Sequence, residues 1–320
     1  MKPPYQISPL VLRLVSSISE KIGRINAQFL DKPSPKLRKE NRIRTIHSSL
    51  GIEGNTLTEE QITALLDNKK VIGPVKDVSE VLNAIKVYSN LVSLNPYSQK
   101  SFLEAHKTLM TGLINRPGRY RSKGVGIVVG DRIKHMAPPA NRLNSLMTDL
   151  FEYLKSTNEI ELIKSCVFHY EMEFIHPFED GNGRMGRLWQ SLILMQSFPV
   201  FEFIPFESII SSSQADYYSA LSVSDKKGNS TPFIEYMLNA IDQSLVDTLN
   251  TKSQTMNSQD RINYFSEFTD KMFTRKDYMM VFKDISSATA SRDLKLAVDL
   301  GIFSKIGDKK NTTYKLKKYP

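Results

Sequence analysis

The sequence predicts a mainly α-helical chain with one small β-hairpin, followed by a separate C-terminal unit in which helices precede a second hairpin. Three observations predict it. Apolar residues recur at steps of three and four over residues 8–116 and 140–174, the spacing that lines one face of a helix. At 120–139 the period changes to two: Val125, Ile127 and Val129 alternate, Gly130-Asp131 offers a turn and Ile133 resumes the pattern, which reads as a hairpin. A polar stretch at 251–260 then sets the remainder of the chain apart.

Composition narrows the class. A chain of 320 residues with 40% hydrophobic content can bury two or three packed units. No apolar run reaches bilayer-spanning length, and Met1-Lys2-Pro3-Pro4-Tyr5 has no signal-peptide core. The expected setting is cytoplasmic, with no membrane partner. The single cysteine, Cys166, excludes an internal disulfide and falls in an apolar helical stretch, as a buried inert thiol does. The formal charge of +9 is uneven: residues 271–320 hold 12 Lys and Arg against 5 Asp and Glu, a local +7, leaving about +2 for the rest.

Taken in order, residues 8–32 predict a helix through Leu10, Leu12, Val15, Ile18 and Ile22, closed by Pro33 and Pro35. A second starts near Lys36 and stops at Gly51, Gly54 and Asn55. Thr58 with Gln61 three residues on is a capping box for the next. Helical pattern then covers 79–116, including Leu82, Phe102, His106 and Leu113, until Pro117-Gly118 breaks it. Beyond the hairpin, 140–155 and 161–174 are helical, and Thr231-Pro232-Phe233 opens a helix ending near Asn250.

The densest chemistry is the run His176-Pro177-Phe178-Glu179-Asp180-Gly181-Asn182-Gly183-Arg184-Met185-Gly186-Arg187. Pro177 and the three residues 181–183 predict a loop, and 185–195 returns to helical pattern. A loop feeding a helix N-terminus gathers unpaired N–H groups that favour anionic oxygens, and glycines let phosphate approach the backbone. Arg184 and Arg187, three apart, share a face of the first turn. Asp180 is a hard oxygen donor suited to Mg²⁺, and His176 can accept a proton near neutral pH. The inventory suits a bound polyphosphate; a helix N-cap with an arginine pair on a solvated face is the bland alternative. His169, two turns before His176, has no acid at zincin spacing and reads as structural. The glycines at 124, 126 and 130 fit neither a dinucleotide fingerprint nor a P-loop.

At every defined position the run resembles the signature of the Fic family, H-x-F-x-[DE]-G-N-G-R-x-x-R. The resemblance implies the helical Fic fold, with the hairpin as a flap over the active site where a target segment docks by strand addition. It also implies a protein adenylyltransferase. In such proteins the histidine deprotonates a Ser, Thr or Tyr hydroxyl, which attacks the α-phosphate of Mg·ATP and releases pyrophosphate. Carried over, His176 is the base and Asp180 the Mg²⁺ ligand. Gly181, Asn182 and Gly183 form the anion hole, and Arg184 and Arg187 contact the β- and γ-phosphates. Glu179 stands at a variable position and faces solvent. The partners so implied are ATP and a target protein, which the chain itself can be.

Ser49 through Glu53-Gly54 is similar to the family's inhibitory motif [ST]-x-x-x-E-[GN], which implies that Glu53 pairs with Arg187 in place of the γ-phosphate. One guanidinium fork then has two competing anions. Resemblance also places Lys134 and His135, at the hairpin's end, near the nucleotide, although Ala137 is an insertion before Pro138-Pro139. Tyr217-Tyr218 with Leu221 resembles the family's Y-Y-x-x-L segment, which makes Tyr217 a candidate for stacking on adenine; core packing is its other reading. Asp225 stands where the family often has asparagine. Phosphate-transferring relatives carry lysine where this chain has Gly183. The implied divisions are 1–97 for the helical region with the inhibitory motif, 98–240 for the catalytic core, 241–260 for a helix end and linker, and 261–320 for the C-terminal module.

In that module a helix at 262–272, a capped start at Thr274, a turn near Lys283-Asp284, a helix over 286–300 ended by Gly301, and a hairpin across Gly307-Asp308 resemble a winged helix-turn-helix. Lys283, Arg292, Lys295, Lys309 and Lys310 can then meet DNA phosphates. Docking of a protein or another subunit is the alternative, and no residue pattern specifies an oligomer. Two other functions stay open: a nucleotide-sensing DNA-binding regulator, against which the intact His176 argues, and a hydrolase that removes AMP at the same site with Glu53 orienting water.

Overall fold

The computed structural model describes residues 3–29, 35–124, 126–129, 132–156, 158–250, 257–269, 272–282, 285–308 and 312–317. The chain divides into two compact units, 1–31 with 40–250, and 32–39 with 251–320. In the larger unit the order is α1 (Pro9–Phe29), α2 (Pro35–Gly51, from residue 40 onward), α3 (Glu59–Leu66), α4 (Val75–Ser89) and α5 (Gln99–Met110). An antiparallel hairpin, β1 (Gly126–Val129) and β2 (Arg132–Met136), follows, with a register shift between Ile127 and Val128. Then come α6 (Leu143–Ser156), α7 (Glu161–Ile175), α8 (Asn182–Leu194), α9 (Phe206–Ser212), α10 (Gln214–Lys227) and α11 (Thr231–Asn250). The mainly helical architecture with one small hairpin is as expected.

Burial places α7 and α8 at the centre. Residues 162–170 of α7 and 184–194 of α8 are buried on every side, so these helices lie inside the unit and carry no solvent stripe. The two pack along each other, α11 packs on α7 and α9, and α1 lies along α11. Trp189 meets Phe102 edge-on with centroids 5.0 Å apart. Its indole N–H donates to the Pro96 carbonyl at 3.0 Å, so the buried ring keeps its polar handle satisfied.

Local signals explain most boundaries. The Thr58–Gln61 capping box forms at the start of α3. The helical pattern over 79–116 is broken into α4 and α5, because Pro96 cannot continue a helix and Ser98 caps the restart. The loop expected to reach Met185 is shorter: α8 starts at Asn182, with Gly181 at φ 85° as its N-cap. Gly183 is tolerated because first-turn N–H groups have no intrahelical partner to lose. One position sets the α7–α8 spacing. A Cβ on Gly186 would stand 2.6 Å from Cδ2 and 2.8 Å from Nε2 of His169. That ring is fixed, with Nδ1–H donating to Gln190 Oε1 at 2.6 Å and Nε2 accepting from the Tyr217 hydroxyl at 3.1 Å.

The second unit holds α12 (Ser258–Phe268), α13 (Arg275–Val281), α14 (Ser287–Asp299) and an antiparallel pair, β3 (Phe303–Ile306) with β4 (Thr313–Leu316). The linker expected over 251–260 is cut short, since Asn257 and Asp260 form a capping box that opens α12; the polar residues there serve the helix start. Residues 251–256, the Gly130-Asp131 and Lys283-Asp284 turns, Lys309 and Lys310 lie outside the described residues. Ile262, Phe265, Phe273, Tyr278, Leu294 and Phe303 form the unit's own core. Arg261 pairs with the buried Asp293 at 2.6 and 3.0 Å, and the Tyr278 hydroxyl donates to the same carboxylate at 3.3 Å. Among the described residues no helix is long and apolar enough to cross a membrane.

The α7–α8 contact sets two expectations for stability. Gly186→Ala is expected to cost about 1–3 kcal/mol by forcing α7 and α8 apart, read as a lowered urea midpoint at unchanged slope. Burial pulls His169 down to about 3, so the folded chain holds it neutral while the unfolded chain protonates it at its ordinary value. Its contribution is therefore complete above about pH 6.5 and lost progressively as pH falls toward 3. The acid limb of melting temperature against pH should be shallower in His169→Gln.

Candidate functional site

The site forms where α7 ends and α8 begins. His176 terminates α7 in the left-handed conformation, φ 49° and ψ 61°, its N–H donating to the Met172 carbonyl at 2.9 Å. A β-carbon disfavours that geometry, so the surrounding bonds must impose it. The His176 Nδ1 is buried and lies 3.9 Å from Oε2 of Glu173, one turn back on α7. The His176 side chain remains partly exposed, at 22%.

The short connection from 177 to 181 is pinned by two side chains. Asn182 accepts the Phe178 N–H at 2.9 Å and donates to the Phe178 carbonyl at 3.0 Å. Its amide is thus spent on the loop, and what Asn182 can offer an anion is its backbone N–H. His106 stacks flat on Phe178, centroids 3.6 Å apart. It accepts the Gly118 N–H at Nδ1 (2.9 Å), so Nε2 carries the proton and donates to the Asp180 carbonyl at 3.0 Å. Burial pushes His106 down to about 4, and its bond to Asp180 opposes that only in part, so the neutral tautomer persists at neutral pH.

Asp180 is half exposed. Its Oδ1 accepts from the Gly181 N–H at 2.6 Å and Arg184 Nη2 at 2.9 Å, while Oδ2 takes no hydrogen bond from any described residue. One open carboxylate oxygen fits Mg²⁺, which uses one or two protein carboxylates and completes its shell with phosphate and water. Among the described residues no group of three or more His, Cys, Asp or Glu could hold a metal. Arg184 is buried and reaches Glu80 Oε1 on α4 at 3.0 Å.

Arg187 is 0% exposed. Its Nε donates to Ser49 Oγ at 3.1 Å, and its Nη2 donates to the Ser49 carbonyl at 2.9 Å and to Glu53 Oε1 at 2.7 Å. Burial is the largest single influence and lowers its pKa, but the charge and hydrogen bond of Glu53, with Tyr217 and Glu173, together outweigh it and the net shift is upward. A Cβ on Gly183 would fall on the Glu53 carboxylate and 3.0 Å from Arg187 Nη1, so this glycine makes the room that the anion occupies.

The two tyrosines named for the adenine contact differ in exposure. Tyr217 is 2% exposed, packed against Phe233 and Tyr236 with its hydroxyl on His169. It offers no open face for stacking, whereas its neighbour Tyr218 is 41% exposed. The side chains of Lys134 and His135 lie outside the described residues; their backbone is in β2, where His135 pairs with Ile127. Sequence reasoning passed over Arg121 and Glu80, and His106 reads from the sequence as a satisfied core or surface histidine rather than a ligand. None carries a local motif, because their partners are distant backbone carbonyls or side chains.

A family model described as Fic/DOC family matches residues 96–194. The curated "Protein adenylyltransferase fic-1" of Caenorhabditis elegans is 30% identical over 260 residues, 73% of this chain and 49% of that protein. "Protein adenylyltransferase Fic" of Culex quinquefasciatus is 27% identical over 226 residues, 68% and 43% respectively. The chain spans about half the length of the curated relatives it matches. A Fic-1 structure from C. elegans, 22% identical over 75% of this chain and 73% of that one, shares the fold with a TM-score of 0.62. The crystal structure of a Fic family protein from Desulfovibrio desulfuricans G20 is similar from end to end, with 40% identity, TM-score 0.76, and coverage of 100% of this chain and 99% of that one. On that full-length likeness, and with the signature run folded into one loop and helix N-terminus, the chain belongs to the Fic/DOC family.

Proposed function

We propose that the chain is a protein adenylyltransferase that moves AMP from ATP to a hydroxyl of a target protein or of itself, and that Glu53 inhibits it. The observation that carries this reading is Arg187. A fully buried guanidinium holds a carboxylate on Nη2, while its Nη1 is buried with no hydrogen-bond partner among the described residues. Such a group is made to take more than one anionic oxygen. The relatives' names supply the transferred group.

In the proposed reaction the target oxygen bonds to the α-phosphorus as the bond to pyrophosphate breaks, and the hydroxyl proton passes to Nε2 of His176. The N–H groups and dipole at the start of α8 hold phosphate oxygens, with Arg184 and Arg187 beneath them. Asp180 would hold Mg²⁺, which supplies charge neutralisation at the phosphates. Glu53, on Arg187, occupies a place that a phosphate needs.

A second contact, with duplex DNA, is proposed for the C-terminal unit. Its helices and terminal hairpin support a winged helix-turn-helix reading, and Arg275, Lys276, Arg292 and Lys295 are exposed, the last two one turn apart on α14.

With ATP labelled at either phosphate, α-label is expected on protein, about 10- to 10²-fold stronger in Glu53→Gly, the range that losing one charge-assisted hydrogen bond allows. His176→Ala should lower it by about 10²- to 10⁴-fold. Label from the γ position alone would indicate a kinase, and no label in any variant a regulator. For the second contact, Arg292→Ala with Lys295→Ala should weaken duplex retardation and reduce its salt slope by about one for each phosphate no longer neutralised; retardation unchanged after removal of 261–320 would refute it.

A further inference from the structure

Arg121 sits just before the hairpin and is almost wholly buried. Among the described residues its partners are backbone carbonyls. Nε donates to the His176 carbonyl at 2.7 Å, Nη1 to Lys123 at 2.8 Å, and Nη2 to Pro138 at 2.6 Å and Ile175 at 3.3 Å. Its own N–H donates to the Pro177 carbonyl at 2.9 Å. Among the described residues no carboxylate is paired with it, which is unusual for a buried cation. The compensation is positional: Ile175 and His176 carry orphan carbonyls at the negative end of the α7 dipole.

The four carbonyls belong to three places that chemistry must keep in register. Ile175 and His176 end the helix that presents the imidazole. Lys123 precedes β1, and Pro138 follows β2. One rigid fork thus ties both flanks of the hairpin to the backbone of the residue held in the left-handed conformation. A guanidinium can do this because its donors are fixed in one plane; an ammonium has the charge without the fork.

We propose that Arg121 is a positioning residue, one that locks the hairpin and the His176 imidazole in a single geometry so that a target hydroxyl docked on the hairpin arrives at Nε2. It touches neither phosphate contacts nor the α8 N-terminus, which Asn182 and His106 hold separately. The assignment of a reacting hydroxyl rests on the adenylyltransferase reading; the locking itself does not.

The test uses the full chain with Glu53→Gly as parent. Arg121→Lys, which keeps the charge and is the variant expected to fold, should lower kcat for α-label transfer by about 10- to 10²-fold, the scale of a small misplacement of reacting groups. KM for Mg·ATP should be unchanged. The amides of 126–129 and 132–136 should exchange faster with solvent, and the His176 ring resonances should shift. Arg121→Gln should show the same pattern more strongly; if it does not fold, Arg121→Lys decides. Unchanged hairpin exchange with unchanged His176 resonances overturns the proposal, as does a loss that appears wholly in KM for Mg·ATP. If the parent transfers no label, the adenylyltransferase reading fails by itself, and the exchange and resonance measurements still decide whether Arg121 locks the two parts.

Discussion

A guanidinium shut away from water must be surrounded by acceptors, and Arg187 shows how far that requirement reaches. Its hydroxyl, carbonyl and carboxylate partners all come from the end of α2 and the turn after it. Helices α2 and α8 are therefore joined through a charge. The same requirement fixes Gly183, since any side chain there would displace the carboxylate that neutralises the arginine. The contact proposed to inhibit the site thus also holds α2 to α8.

Around that charge the loop is held mainly through its backbone. Asn182 binds both polar groups of Phe178, His106 binds the Asp180 carbonyl, and Arg121 binds the carbonyls on either side of the α7 terminus. The segment 178–182 is thereby pinned without using Asp180 Oδ2, the oxygen proposed for Mg²⁺. Among the described residues Asp180 keeps one carboxylate oxygen without a hydrogen bond, and the His176 side chain stays partly exposed.

Much of this was legible in the sequence where chemistry is local. Capping boxes at Thr58–Gln61 and Thr274–Asp277 form as their spacing indicates, and the run from His176 to Arg187 does fold as a turn into a helix start. Long-range partners were not legible. Arg121 and His176 are 55 residues apart, and Glu80 and Arg184 are 104 apart; a carbonyl acceptor leaves no mark on residue identity. Tyr217 and Tyr218 show a second limit. Adjacent helical residues point about 100° apart, so the pair announces one buried and one open ring without saying which. At 251–260 polarity suggested a linker, yet capping residues are polar for their own reason, and helix α12 begins inside that stretch.

Glu80 links the surroundings of both arginines. Its Oε1 accepts from Arg184, and its Oε2 accepts from Asn55 at 2.8 Å, two residues beyond Glu53. Asp77, one turn earlier on α4, accepts the Thr56 N–H and hydroxyl at 2.8 and 2.6 Å. The turn bearing Glu53 is thus moored to α4 by the same carboxylate that neutralises the other arginine. Energies of the two arginine pairs are not independent: in a double-mutant cycle, replacements at Glu53 and Glu80 will depart from a simple sum.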